Sequence, residues 1–512
     1  MAGGTILNVQ KIKVNNNATL PNILRTARAG SPARAWGLFV EGGWLEAVGD
    51  AKALTLKGRL LKDQAKSVSG AAAGKDRLRL YGEAGEAYAA SAKIEAGSYP
   101  LINAATLALL GGKEERAKAL ARDVLNMLDE NPLEAETPYW LAATRSEALL
   151  LLGQEAEARA ALSDAIRKAP QAWEDHAATI GQFRLILSEL GADAGWLERH
   201  LPPASLHFQG VMSLAPDEAA LRSQIDAWLE TENIGFGYGA LAAGADIVVA
   251  EALLARGAEL HILLPCDQVN FRAQSVEASA GDWGARFDAL MAAADSADHL
   301  AAAEAPCPDA VDICEAAAMG LARQNAKLLQ SRAIALRIDR DRERAETRLS
   351  RWTESGGQSH IMLAENSKPR GAREFASCGS VAALLAFRGP ELKFDKPPTG
   401  LIAQHNLSAV TILQFSGAAE AWQAARALRA SGDDGHIPVA IDQGMVKAPI
   451  EQSALFLRAC ALCEIAAEGQ LLASKAAAFP LLAKYADIRV EEAGEVRAVI
   501  GAFPAYAIIS SS

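Results

Sequence analysis

Apolar residues follow two different periods along this chain of 512 residues. Over residues 51–201 they recur every three or four positions in paired segments separated by short glycine turns, which predicts pairs of amphipathic helices. From residue 206 onwards, short apolar runs alternate with longer helical patterns. This alternation predicts a mostly parallel, doubly wound sheet with helices on both faces. We therefore expect an all-α region followed by an α/β region.

Residues 234–265 carry the clearest pattern of the α/β region. They predict a strand, a glycine-rich turn, an alanine-rich helix with Gly257 as its C-terminal cap, and a second strand at 259–264. Glycines allow a tight turn and a close approach to a ligand, and the unpaired amides at a helix start favour anions. We therefore predict a nucleotide-binding site formed by Gly235, Gly237, Gly239, Gly244, Ala245 and Asp246.

The rest of the α/β region predicts strands at 206–214, 333–338 and 359–363 and helices at 217–230, 283–294, 309–329 and 342–352. Ligands of doubly wound sheets bind beyond the carboxyl ends of the strands. Asp246 has a simpler interpretation as a helix N-cap, and Glu251 as a charge that faces solvent or pairs with an arginine. Residues 1–50 hold few periodic segments, and we assign them no role.

The charge and cysteine content narrow the class of protein. A net charge of -11 and a pI near 5.4 argue against a large nucleic-acid surface, which needs clustered Lys and Arg. No run of apolar residues is long enough for a membrane span, and no apolar leader segment is evident, so we expect a cytoplasmic protein. Six cysteines without framework spacing predict no disulfides, and Cys460 and Cys463 fit a helix core better than a metal site.

The helical region contains an internal repeat. Residues 107–128 and 149–169 align at an offset of 41, which places Gly112 on Gly153 and Ala117 on Ala158. The small turn residue, the following alanine and the closing prolines Pro132 and Pro170 resemble tetratricopeptide repeats, whose usual spacing is about 34 residues. Such arrays present a concave surface to peptides or partner proteins, although a purely structural spacer is the alternative.

Several motifs of the α/β region resemble a bacterial family that joins tetratricopeptide repeats, often labelled TRAFs-binding, to a SLOG-type Rossmann-like domain. The resemblance rests on Gly244, Ala245, Asp246, Glu251, Leu264, Pro265, Phe271, Arg272, Ser275, Val276, Gly281, Asp282, Trp283, Arg286 and Phe287. It implies a nucleotide or a nucleotide-derived ligand. The candidate binding residues are Gly210, Gly235, Gly237, Gly239, Gly244, Ala245, Asp246, Glu251, Asp267 and Arg272.

The chain departs from that family at the phosphate-binding positions. Val211 and Met212 follow Gly210 where the family has a cation. Arg340 follows Asp339 where the family has glycine, and Glu346 stands where a small residue admits phosphate to backbone amides. We therefore expect a partly eroded nucleotide pocket.

From about residue 380 the sequence resembles a class III adenylate/guanylate cyclase domain, with which the same family often ends. Its matching segments are 408–430, 437–446 and 456–483. Cyclisation needs aspartates that hold two metals and an Asn and Arg pair, and the matching positions carry Ala409, Leu457 and Ala461. We expect a degenerate cyclase-like fold without cyclase activity and without a metal, and an unrelated α+β domain is the alternative.

The expected fold class is multidomain, with all-α tetratricopeptide-like repeats at 51–203, a doubly wound Rossmann-like α/β domain at 204–370 and an α+β degenerate cyclase-like domain at 371–512. We expect a non-enzymatic regulatory or scaffold protein that binds a protein partner through its repeats, senses a nucleotide and forms a homodimer through its last domain. The alternatives are a nucleotide-processing enzyme of the N-glycosidic hydrolase type, which would use Asp246 and Glu251, and a sensor that binds a signalling nucleotide unchanged.

Overall fold

The computed structural model describes residues 18–28, 32–68, 73–130, 136–212, 214, 218–279, 281–300, 303–364, 379–388, 397–407, 409–431, 437–446, 449–467 and 469–510. Pro132 and the expected domain boundary at 370/371 lie outside these residues. The chain divides into two compact units, one of residues 13–202 with 328–330, and one that holds residues 203–327 and 331–511. Among the described residues, no helix is both long and apolar enough to cross a membrane.

The first unit is helical. Its helices are α1 (Leu20–Arg28), α2 (Pro32–Glu41), α3 (Ala51–Ser67), α4 (Ala73–Ile94), α5 (Ser98–Leu110), α6 (Glu114–Glu130), α7 (Pro138–Leu151), α8 (Glu155–Lys168) and α9 (Trp173–Glu189). Ile23 of α1, Phe39 of α2 and Leu60 of α3 are fully buried in one cluster. Helical packing therefore begins before residue 51, in a segment whose role the sequence left open.

The internal repeat is present in the backbone as well as in the sequence. Gly112 and Gly153 follow α5 and α7 with left-handed φ values of 72° and 76°. The next residues close matching turns, because the amide of Lys113 donates to the carbonyl of Ala108 and the amide of Gln154 to that of Leu149. The glycines at these turns are thus explained by helix termination.

The second unit begins with a six-stranded parallel sheet. Its elements are β1 (Ala204–Gly210), α10 (Glu218–Thr231), β2 (Ile234–Gly239), α11 (Ala245–Ala255), β3 (Glu259–Leu264), α12 (Gln268–Phe271), α13 (Trp283–Ala293), β4 (Ser296–His299), α14 (Pro308–Leu328), β5 (Ala333–Asp339), α15 (Arg342–Glu354) and β6 (Gln358–Leu363). The strand order is β4-β3-β2-β1-β5-β6. The order reverses between β1 and β5, which makes that gap the place where ligands of such sheets bind.

Two features of this sheet differ from the expectation. β1 ends at Gly210, four residues before the predicted end of the strand, because the backbone then bends to cover the start of α11. β4 was not predicted, since all four of its residues are exposed and it therefore carries no apolar alternation. The cap at Gly257 is confirmed by its φ of 76° and by the bond from the amide of Ala258 to the carbonyl of Leu253.

A seven-stranded mixed sheet follows in the same unit. It consists of β7 (Ser380–Phe387), β8 (Leu401–Asn406), β9 (Thr411–Phe415), α16 (Ala418–Ser431), β10 (Val439–Val446), α17 (Ala454–Ile465), β11 (Leu471–Ala473), α18 (Lys475–Lys484), β12 (Ile488–Ala498) and β13 (Gly501–Ser510). The strand order is β12-β13-β11-β10-β7-β9-β8, with only β10 and β11 parallel. The chain is therefore a multidomain protein with both helical and α/β parts.

α14 connects the two sheets. Ala317 and Ile313 of α14 share a buried cluster with Phe479 of α18. The guanidinium of Arg323 donates to the carbonyls of Leu482 and Ala483, at 3.2 and 2.9 Å, near the carboxyl end of α18. A cation at a helix carboxyl end satisfies carbonyls that have no partner within the helix, so Arg323 fastens the second sheet to the first.

Candidate functional site

The candidate site lies at the carboxyl edge of the six-stranded sheet, where β1 and β5 diverge. The last residue of β1 is Gly210, the last residue of β5 is Asp339, and α11 begins beside them at Ala245. A β-carbon on Gly210 would lie 2.5 Å from the β-carbon of Ala245 and 2.8 Å from that of Ile338. Gly210 is therefore required for close packing of β1, β5 and α11.

Gly235, Gly237 and Gly239 lie within β2, so the prediction of a glycine-rich turn at these residues is corrected. A β-carbon on Gly235 would lie 2.5 Å from the β-carbon of Pro203, and one on Gly239 would lie 2.7 Å from the carbonyl oxygen of Phe208. A β-carbon on Gly237 would collide with Leu253 of α11. These glycines allow neighbouring protein atoms to approach the strand, and protein occupies the space that the sequence suggested for a ligand.

The start of α11 is covered by the loop after β1. Gly244 has a φ of 113°, and a β-carbon there would lie 2.5 Å from the carbonyl oxygen of Val211. The same carbonyl accepts a hydrogen bond of 2.9 Å from the amide of Ala245, the first residue of the helix. One of the amides that an anion would use is therefore already bound.

Asp246 is buried in the first turn of α11, with 3% of its surface exposed. Its carboxylate accepts hydrogen bonds from the amide of Gly210 at 2.8 Å and from the amide of Ala242 at 3.2 Å. The N-cap interpretation is corrected, because the helix cap is Gly244 and Asp246 binds the end of β1 and the loop before α11. Burial raises the pKa of Asp246 to about 7, although both amides act in the opposite direction.

A buried charged cluster lies beneath this edge. The guanidinium of Arg337 in β5 is 3.3 Å from the carboxylate of Asp339 and 3.4 Å from that of Glu315 in α14, and it also donates to Gln209 of β1. Burial raises the pKa of Glu315. Arg337 was not predicted as a site residue, although a lone cation within the apolar strand 333–338 was a usable signal.

Glu251 lies on α11 and pairs with Arg286 of α13, and the two hydrogen bonds are both 2.7 Å long. Arg286 also approaches Glu218 of α10 at 2.9 Å and lies over the ring of Trp283, 4.3 Å from its centroid. This confirms the simpler interpretation of Glu251 as a partner of an arginine. The motif residues Glu251, Trp283 and Arg286 thus act together to join three helices.

The other two charged candidates also have protein partners. Arg272 donates to both carboxylate oxygens of Asp288, at 2.9 and 2.8 Å, and to Glu277. Asp267 caps α12 by accepting a bond of 3.0 Å from the amide of Asn270. That bond contributes most to lowering the pKa of Asp267. The structure therefore brings Gly210, Gly244, Ala245 and Asp246 together, but it engages Glu251, Asp267 and Arg272 elsewhere.

A cavity of about 200 Å³ is lined by residues of β2, β3, β4, α14 and α18. His261 of β3 stacks on Tyr238 of β2 with ring centroids 4.7 Å apart, and its Nδ1 lies 2.9 Å from the hydroxyl oxygen of Ser296 in β4. An ion pair of Asp298 with Lys475 of α18 also lines the cavity. The strand register brings Tyr238, His261 and Ser296 together, and α18 adds Lys475 from a distant segment.

The helical unit carries a polar line along its alternate helices. Lys62 of α3 donates to Asn103 of α5 at 3.2 Å, and Gln182 of α9 donates to Glu147 of α7 at 3.0 Å. Thr106 of α5 also donates to Glu147. Burial lowers the pKa of Lys62 to about 8 and raises that of Glu147. This polar line was not predicted from the sequence.

In the mixed sheet, the positions expected for cyclase catalysis carry no metal-binding or charged groups. Ala409 lies in the loop between β8 and β9, and Leu457 and Ala461 lie on α17. The charged pair nearby is Asp442 of β10 with Arg458 of α17, at 2.7 Å and buried. Within the ranges that the structure describes, no group of three or more His, Cys, Asp or Glu is placed to hold a metal ion.

The two cysteines of α17 are buried, and burial raises the pKa of Cys460 to about 11 and that of Cys463 to about 12. Both groups are therefore thiols at neutral pH, and thiols are poor nucleophiles and metal ligands compared with thiolates.

Comparison with models of known protein families gives no match to this chain, and comparison with curated proteins gives none either.

Proposed function

We propose that this protein is a non-enzymatic regulatory or scaffold protein. In this proposal the tetratricopeptide-like repeats bind a protein or peptide partner, and the SLOG-type Rossmann-like part retains the framework of a nucleotide sensor. The third part, as a degenerate cyclase-like domain, contributes assembly into a homodimer.

The proposal rests on one observation, which is that the charged candidate residues already bind other groups of the same protein. Asp246 binds the amides of Gly210 and Ala242, Glu251 binds Arg286, and Arg272 binds Asp288. A catalytic carboxylate or cation must reach the substrate, and each of these would first have to leave a partner. This arrangement favours a framework role over turnover.

The repeats support the interaction part of the proposal. The polar line of Lys62, Asn103, Glu147 and Gln182 gives alternate helices hydrogen-bonding groups of both charges. Lys62, Glu147 and Gln182 are partly exposed and Asn103 is buried, so we infer that a partner's polar groups reach the first three. A protein segment is the class of partner that such a line fits.

The proposal is tested by incubating the purified chain with AMP, NAD and cyclic nucleotides and by measuring thermal unfolding with each. We expect no altered nucleotide after prolonged incubation. A nucleotide that is sensed unchanged will stabilise the protein by about 2.7 kcal/mol at a hundred times its dissociation constant. The non-enzymatic role would be contradicted if the wild-type chain releases free base, Asp246→Asn abolishes that release and the control Glu277→Gln does not.

One observation favours the alternative of a nucleotide-processing enzyme of the N-glycosidic hydrolase type. The pKa of Asp246 is raised to about 7 by burial, and a general acid works best with a pKa near the working pH. The ion pair of Glu251 with Arg286 opposes that alternative, because it holds the second carboxylate away from the start of α11. If the chain is such an enzyme, Glu251→Gln will reduce nucleotide hydrolysis as strongly as Asp246→Asn does.

A further inference from the structure

A surface groove with a volume of about 550 Å³ lies beside β6. One wall is α10, which presents Trp228, and the other is formed by four successive residues of β6, 360–363. The ring of Trp228 stacks on the imidazole of His360, with centroids 4.6 Å apart and planes within 15°. An aromatic platform therefore lies directly beside a strand.

β6 is the last strand of the six-stranded sheet, and among the described residues it pairs only with β5. An edge strand presents backbone N–H and C=O groups that can pair with a further strand. His360 and Ile361 point to opposite faces of the sheet, and both line the groove. Among the described residues the groove therefore lies along the unpaired edge of β6, where an extended chain could pair with the strand.

The positive charge of the groove favours an acidic partner over a second copy of this chain. Arg342, at the start of α15, is exposed and lines the groove, whose lining residues include no carboxylate. The neighbouring Glu232 is engaged by Arg332 at 3.1 Å. A second copy of this chain that paired edge to edge through β6 would bring a second Arg342 into the groove, and like charges oppose that arrangement. An acidic partner complements it.

We propose that the open edge of β6 binds an extended acidic peptide segment of a partner protein by adding it as a seventh strand. The backbone of the segment pairs with β6, an apolar or aromatic side chain packs on Trp228, and an Asp or Glu pairs with Arg342. This surface belongs to the α/β part and is separate from the interior of the repeats, so the protein has a second site for a protein ligand.

The test begins with a display library of random peptides, about eight residues long, selected on the full wild-type chain. We expect enriched sequences that alternate β-branched or aromatic residues with polar ones and carry Asp or Glu. The best peptide, made synthetically, will lose at least about tenfold in affinity on Arg342→Glu, a difference of about 1.4 kcal/mol. Arg351→Glu is the matched control, since Arg351 is exposed on the same helix away from the groove lining.

Backbone pairing is tested with two versions of that peptide, each N-methylated at alternate residues. Because successive residues of a strand direct their backbone groups to opposite sides, one version will lose binding and the other will keep it. Hydrogen exchange at 359–363 will slow when the unmodified peptide is bound. The proposal is overturned if no peptide is enriched, if Arg342→Glu binds as Arg351→Glu does, or if both methylated versions bind. It is also overturned if the wild-type chain is a dimer with residues 359–363 protected before peptide is added.

Discussion

The carboxylate of Asp246, in the first turn of α11, accepts a hydrogen bond of 2.8 Å from the backbone amide of Gly210, the last residue of β1. The carbonyl of the next residue, Val211, accepts a bond of 2.9 Å from the amide of Ala245. These two bonds run in opposite directions between one loop and one helix start. They close the place where the nucleotide of a doubly wound sheet would place its phosphate.

The buried carboxyl of Asp246 makes stability depend on pH. Its pKa rises from the usual 3.8 to about 7 in the folded chain, so between these values the folded state binds more protons than the unfolded state. The contribution of this group to stability is therefore fully present below pH 4 and is lost as the pH rises through 7. We expect wild type to lose up to about 1.4 kcal/mol per pH unit relative to Asp246→Asn within this window.

Thermal unfolding of both proteins at a series of pH values measures this difference. Asp288→Asn is a suitable control, because the Asp288 carboxyl is exposed and its pKa is lowered by its hydrogen bond to Arg272. Parallel pH profiles of wild type and Asp246→Asn would show that the Asp246 carboxyl is ionised in the folded chain throughout.

Gly210→Ala will destabilise the α/β part by about 2 kcal/mol, because the new methyl group must displace Ala245 or Ile338 in a packed core. Gly257→Ala adds a methyl group into open space and costs only the strain of its positive φ, about 1 kcal/mol. Urea unfolding followed by tryptophan fluorescence will rank the two variants. Equal stabilities of Gly210→Ala and wild type would mean that β1 and α11 can separate at this point without cost.

The pair of Glu251 with Arg286 is tested by a double-mutant cycle. Glu251→Gln and Arg286→Met will each destabilise the chain, and we expect a coupling free energy of about 2 kcal/mol between them, since two charge-assisted hydrogen bonds join partly buried groups. The exposed pair of Arg348 with Asp312 provides the comparison and should couple by about 0.5 kcal/mol. A similar coupling in both cycles would refute a special role for the first pair.

Arg323 is expected to hold the two sheets of the second unit together. Arg323→Met removes the bonds to the carbonyls of Leu482 and Ala483 and the contact of the guanidinium with the ring of Trp352. We expect faster hydrogen exchange in α18 and a lower unfolding temperature. Arg323→Lys keeps the charge but cannot reach two carbonyls with a planar fork, so its exchange rates should lie between those of wild type and Arg323→Met.

In the repeats, stability should rise with pH where Lys62 titrates. Burial lowers its pKa from 10.5 to about 8, so between these values the unfolded chain binds more protons than the folded one. Wild type should therefore gain stability relative to Lys62→Met as the pH increases from 8 towards 10.5. Denaturant unfolding followed by circular dichroism measures the difference. If the unfolding free energy depends on pH in the same way in wild type and in Lys62→Met, the Lys62 ammonium is solvated in the folded chain.

The sequence by itself determined the elements that depend on local periodicity and chain termination. The strand at 259–264, the helix capped at Gly257 and the equivalent turns at Gly112 and Gly153 follow from apolar spacing and from the freedom of glycine to adopt positive φ. These features depend on neighbours within a few residues, which is why a linear pattern carries them.

The tertiary structure alone decided what the glycines of β2 and the charges of the candidate site do. The sequence does not show whether a ligand or a protein atom packs against Gly235, Gly237 and Gly239. Only the folded positions of Pro203, Leu253 and Phe208 show that protein atoms do. Asp246 and Glu251 likewise find their partners on separate segments, Gly210 and Arg286. Burial and pairing across distant segments set the energies of such groups, and no pattern confined to one segment contains them.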